Sequence, residues 1–124
     1  MASRSLDTRA RLLAALQAGG LRTATTGKFS APVVLVEVGD PWSEPATLQG
    51  LRVTRWRLSA VVGRTDSEGA IAGLGELVDA IDAALVPAGI QLPTWGQPFS
   101  AQLDGAAYAT TVATVQLMTE EASG

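Results

Sequence analysis

The chain has 124 residues, a formal net charge of −3, 47% hydrophobic and 17% charged residues, and neither cysteine nor histidine. This composition argues for a folded chain and excludes a disulfide framework, a thiolate metal site and any mechanism that needs an imidazole base. An acidic balance also disfavours general nucleic-acid binding, which draws most of its non-specific affinity from phosphate contacts.

One domain spanning 1–124 is expected, since this length buries roughly two thirds of its unfolded surface and no linker divides it. No apolar run approaches the ~18 residues of a membrane span and no leader-like segment opens the chain. A soluble protein is expected.

In chain order, residues 5–18 read as a first helix. Ser5 is a possible N-cap, and Leu6, Ala10, Leu13 and Gln17 form one side, widened by Leu12 and Leu16. Gly19-Gly20 supplies its stop. Residues 21–31 read as irregular. Val33 to Val38 is nearly continuous in apolar residues, the pattern of a strand buried on both faces. Gly39 to Gly50, with Pro41 and Pro45, reads as a loop.

Leu51 to Val62 is a strand with clean alternation. Trp56, Leu58, Ala60 and Val62 fall on one face, and Arg55, Arg57 and Ser59 on the other. Residues 69–86 follow as a helix whose apolar stripe is Ile71, Leu74, Val78, Ile81 and Leu85. Thr65 or Asp66 can cap it, with Glu68 completing a capping box, and Pro87 and Gly89 end it. Gly69, Gly73 and Gly75 read as positions that allow close helix packing. Pro98 to Leu103 and Ala106 to Met118 form a hairpin around Asp104-Gly105. The face of its second arm with Ala107, Ala109, Thr111, Ala113, Val115 and Leu117 is assigned to the core. The fold class is therefore α+β: an antiparallel-dominated sheet of about four to five strands, with two main helices packed on one face.

Charge is segregated along the chain. Residues 1–28 sum to +4, 29–50 to −3, 51–64 to +4 and 65–124 to −8. The basic strand face (Arg55, Arg57, with Arg52 and Arg64 nearby) and the acidic helix face (Glu76, Asp79, Asp82) suit a contact between copies of one subunit. Arginine fits that role because its fork binds carboxylates in pairs. Trp42 and Glu44, in the stiff Pro41–Pro45 segment, form a second candidate contact. Trp42 is either an interface anchor or a lid over the core edge. Trp56 reads as core, and Trp95 as a sheet cap or a neighbour contact.

No catalytic, cofactor or metal site emerges. Ser43 and Ser59 have no histidine to activate them. The spacing of Glu37, Asp40 and Glu44 fits no EF-hand loop, and Gly69, Gly73 and Gly75 do not make a dinucleotide fingerprint.

The runs Val33-Val-Leu-Val-Glu-Val-Gly-Asp-Pro-Trp42, Arg55-Trp-Arg57, Asp79-Ala-Ile-Asp-Ala-Ala-Leu85 and Tyr108-Ala-Thr-Thr-Val-Ala-Thr-Val-Gln116 resemble small tail proteins of phages and prophages of actinobacteria. Those proteins look like relatives of the tail terminator of long-tailed phages, the lambda-type tail-completion proteins, and the likeness covers roughly residues 5–120. The resemblance implies a virion structural protein, assembled in the host cytoplasm and carried in the tail. It implies a homo-oligomeric ring, a hexamer in the family, that caps the tail tube protein, ends tube polymerisation and meets the head-side connector. It implies no enzyme activity and no cofactor. In that frame, reversing Arg55 and Arg57 to Glu is expected to break the ring. The alternative is a small soluble α+β domain whose Pro/Trp loops bind a small molecule or peptide.

Overall fold

The structure is a computed structural model that describes residues 4–24, 31–45, 50–63, 67–103 and 105–120. Its elements are α1 (Arg4–Ala18), β1 (Thr23–Ala24), β2 (Val33–Pro45), β3 (Leu51–Gly63), α2 (Ser67–Leu85), β4 (Phe99–Leu103) and β5 (Ala106–Glu120). The five strands form one sheet in the order β1-β2-β3-β5-β4. All pairings are antiparallel except the two-residue β1 with β2. The α+β class, the mostly antiparallel sheet and the two helices on one face are as the sequence predicts.

One buried cluster explains that layering. Leu12 and Leu16 of α1 and Leu74, Leu77, Ile81 and Leu85 of α2 pack with Val34, Val36, Trp56, Leu58, Ala60, Val62, Val115 and Leu117 of the sheet. Alternation along β3 decides which residues enter it. Trp56, Leu58, Ala60 and Val62 are buried on the helix side, while Arg55 and Arg57 lie on the other face. On β5 the pairings Trp56↔Val115 and Leu58↔Ala113 put the small-residue face under the helices. A second, smaller cluster of Val33, Leu35 and Val61 sits on the far side of the sheet, with Ala24 and Tyr108 against it. Two clusters on opposite faces are why Val33 to Val36 are buried in succession.

Both helices end the same way. Leu21 N–H bonds the Leu16 carbonyl and Gly20 N–H that of Gln17, with Gly20 at φ +80°. At α2, Ile90 N–H bonds Leu85 and Gly89 N–H bonds Val86, with Gly89 at φ +71°. These are Schellman endings: a left-handed glycine lets the chain turn back and satisfy the last carbonyls. The apolar residue that follows, Leu21 or Ile90, then packs into the core.

Several expectations are corrected. The first helix begins at Arg4, so Ser5 lies inside it and is not its cap. Its buried face is Thr8, Leu12, Ala15 and Leu16, whereas Leu6 is 50% exposed and Ala10 and Gln17 are exposed. Thr8 hides this face from a hydropathy reading. It belongs there because its hydroxyl accepts a hydrogen bond from Trp56 Nε1 at 2.8 Å. On α2 the stripe is Ala70, Leu74, Leu77, Ile81, Ala84 and Leu85, with Val78 half-buried and Ile71 56% exposed. The helix starts at Ser67, two residues before the predicted start, and its predicted caps Thr65 and Asp66 lie outside the described residues.

Gly39 to Pro45 is strand rather than loop. After Val38↔Trp56 the ladder resumes at Ser43↔Thr54, so Gly39 to Trp42 bulge outward opposite Arg55 alone. The approach is tight at Gly39, where a Cβ would fall 2.8 Å from that of Arg55. A bulge lets prolines sit in a strand without breaking its ladder.

Gly73 and Gly75 are not needed for packing. An added Cβ meets Val62 at an ordinary 3.7 Å in the first case and nothing within 4 Å in the second. The close helix contact is at Gly19, where a Cβ would lie 2.6 Å from Ala84 Cβ. The predicted two-residue turn is present. Leu103 pairs with Ala106 and Gly105 takes φ +79°, while Asp104 lies outside the described residues.

Candidate functional site: surfaces left for assembly

The residues singled out from sequence divide into those satisfied within the chain and those facing outward. Arg55 belongs to the first group. Its guanidinium lies 2.6 Å from Glu44 Oε1 and also donates to the Pro41 carbonyl at 3.3 Å. The bulge between Gly39 and Trp42 brings these groups together, because Glu44 pairs with Val53 on the same face as Arg55. Arg52 falls on the other face of β3, where its guanidinium donates to Ser43 Oγ at 3.3 Å. The expectation that Arg52 extends the basic face is thereby corrected, since even-numbered positions of this strand share the face of Trp56. Arg64 lies outside the described residues.

Arg57 is exposed on the far face, in register with Glu37 on β2 and Thr114 on β5. Glu76 and Asp79 are exposed on α2. Asp82 is half-buried and accepts from Trp95 Nε1 at 3.2 Å. The proposed cation and anion surfaces thus stand on opposite layers of the domain. Among the described residues they reduce to Arg57 on one side and Glu76 and Asp79 on the other.

Trp42 is partly a lid. Its ring meets that of Trp56 edge-on, with centroids 5.7 Å apart and planes at 76°. It is still 39% exposed, so one edge covers the core while the rest is open to contact. Trp95 packs against the main cluster and is anchored by Asp82, which draws the 91–96 connection toward α2.

That connection also shapes a cavity of about 450 Å³ between itself and β5. Its walls mix Gln91, Thr94, Thr114 and Gln116 with Pro93 and Trp95, and it is not an apolar binding pocket. A shallow groove of about 620 Å³ runs between α1 and α2 over small residues such as Ala14, Ala18 and Ala83.

Sequence reasoning overlooked the outer edges of the sheet. β4 pairs only with Ala106 to Thr110, whereas β5 runs on to Glu120. The unequal arms of the predicted hairpin were the available signal. Beyond Thr110, one backbone bond continues that side, from Gly96 N–H to the Val112 carbonyl at 2.8 Å. On the opposite edge, among the described residues, β1 covers Val34 and Leu35 of the thirteen-residue β2.

Among the described residues no group of three acidic, histidine or cysteine side chains is placed to hold a metal ion, and no helix is long and apolar enough to cross a membrane. No family model matches the chain, and no curated protein matches it.

Proposed function

We propose that this chain is a structural protein of a phage tail: a subunit of an oligomeric ring that caps the tail tube, ends tube polymerisation and offers a surface for joining the head. The observation that carries this reading is the one-sided construction of the domain. Both helices cover one face of the sheet, while among the described residues the other face presents Arg57, Thr114, Gln116 and Met118 to solvent. Both long outer strands also leave part of their edge unpaired among those residues. A domain that finishes neither its second face nor its edges has surface to give to neighbours. The sequence resemblance to tail-completion proteins supplies the identity of those neighbours: further copies of the chain, the tube protein and the head-side connector.

The second reading, a small binding domain, draws on the 450 Å³ cavity beside Trp95. Its mixed polar walls favour it less than assembly.

Native mass spectrometry of the protein, alone and then with tube subunits, tests the reading. A closed ring, free or on tube ends, is expected, together with tubes of limited length. A persistent monomer that leaves tube growth unchanged overturns it.

A further inference from the structure

We propose that the C-terminal end of the outer β5 edge, Gln116 to Glu120, pairs antiparallel with the same edge of a second copy of this chain. The two-fold axis passes at Met118, and the two sheets run on as one. The contact goes beyond the ring reading and stands apart from it. A two-fold contact closes after two subunits, so a ring is built through other surfaces.

The backbone at this edge has hydrogen-bonding capacity to spare. The N–H and C=O of one strand residue point the same way, and alternate residues share that direction. The Val112 carbonyl points away from β3, toward Gly96. Pairing of β5 with β3 is unbroken from Tyr108 to Glu120, so Thr114, Gln116, Met118 and Glu120 point their backbone groups outward too. Among the described residues no strand lies opposite them, because β4 reaches only Thr110 and the 91–96 connection leaves the edge at Gly96.

The edge is also undefended. Natural sheets protect free edges with proline, charge, bulges or brevity. Thr114-Val-Gln-Leu-Met118 contains no proline, glycine or charged residue, and the Met118 side chain is 59% exposed. The other edge strands are short or broken: β1 has two residues, β4 has five, and β2 past Val38 has its bulge with Pro41 and Pro45.

Three features select a second copy as the occupant. The first is direction. In an antiparallel pair about Met118, outward residues meet outward residues: Met118 faces Met118 and Gln116 faces Glu120. Each such pair exchanges both of its backbone bonds. The second is charge. A two-fold axis sets a residue beside its own copy, which a charged centre would oppose. Here the axis falls on an exposed methionine in an uncharged run.

The third feature is space. Gly96 already occupies the edge at Val112, so an added strand must end before that level. In the register about Met118, Thr114 faces position 122 and Val112 faces position 124, both past Glu120, the last residue of β5. A register about Gln116 would instead drive Glu120 into Gly96. The cavity of about 450 Å³ opens beside Thr114 and Gln116, where the end of the second copy's strand arrives. Its polar walls, with Gln91 and Thr94, suit peptide groups better than an apolar ligand.

The chain has no cysteine, so cross-linking gives a clean test. Paired residues at the axis stand about 5.5 Å apart between Cα atoms, within disulfide reach. Protein carrying Met118→Cys should form covalent dimers on oxidation at roughly ten times the yield of Thr114→Cys, an exposed position of the same face. Gln116→Cys mixed with Met118→Cys reads the neighbouring register, and mixed dimers in excess of Met118→Cys homodimers overturn the proposal. Native mass spectrometry of the unaltered protein should show dimers that grow with concentration. Met118→Lys sets two like charges at the axis and should return the mass to monomer while leaving circular dichroism unchanged. A dimer that survives Met118→Lys, or a monomer at every concentration, overturns the contact. So does protection of the β5 amides from hydrogen exchange that appears only with tube subunits, which makes the tube protein the occupant. Ring formation is read separately, on tube ends, so failure of either reading leaves the other standing.

Discussion

Trp56 shows how one side chain ties the layers together. Its ring is buried in the main cluster, its Nε1 donates to Thr8 on α1, and Trp42 stands edge-on against it. Trp56→Phe keeps most of the volume but removes a buried donor, and is expected to cost about 1–2 kcal/mol in denaturant unfolding. Thr110 presents the reverse case, with a buried Oγ1 that has no hydrogen-bond partner among the described residues. Thr110→Val is expected to be neutral or to stabilise by up to about 1 kcal/mol, since it removes an uncompensated desolvation. Glu44→Gln and Arg57→Glu are expected to shift stability by less than about 1 kcal/mol each. In the first the ion pair with Arg55 is partly exposed and screened by water, and in the second Arg57 is an exposed surface position. Glu44→Gln tests the internal pair, which it weakens. Arg57→Glu tests the far face: a change in oligomer size on native mass spectrometry is expected if that face meets neighbours.

At the scale of elements, α2 carries glycines of opposite meaning. Gly75 sits in the helix with open space around its Cα, and Gly89 ends the helix at φ +71°. Gly75→Ala is expected to raise stability by about 0.5–1 kcal/mol through helix propensity and a less flexible unfolded chain. Gly89→Ala is expected to lower it by about 1 kcal/mol, since a Cβ opposes the left-handed conformation. Thermal unfolding of the two variants should therefore move in opposite directions. Both helix endings were legible from Gly20 and Gly89, because few residues other than glycine take that backbone conformation. The buried faces were less legible. Thr8 stands where a hydropathy pattern expects an apolar residue, and Ile71 lies where the pattern continues but the sheet does not. The Gly39–Pro45 strand was missed because two prolines signal a loop unless a bulge accommodates them, and the bulge exists only through its pairing with β3.

At the scale of the whole molecule, the question is what the domain leaves unfinished. Helices on one face, a second face partly covered around Val33, Leu35 and Val61, and two strand edges partly unpaired among the described residues describe a unit shaped to be continued. If rings form, folding and assembly are linked, and the midpoint of thermal unfolding should rise with protein concentration. A concentration-independent midpoint with a monomeric mass at every concentration would count against self-assembly without the tube.

The sequence by itself determined the class of the molecule. Alternation in β3 and β5 and the 3.6-residue period of α2 are local signals, and they specified an α+β domain with Trp56 and the alanine face inward. The lack of histidine and cysteine removed whole kinds of chemistry before any fold was considered. Only the tertiary structure decided which charges are available. Arg55 is paired with Glu44 and Asp82 with Trp95, through contacts across 11 and 13 residues of sequence. It also decided which strand edges remain open, because an edge is defined by what fails to lie beside it, and no local pattern records that.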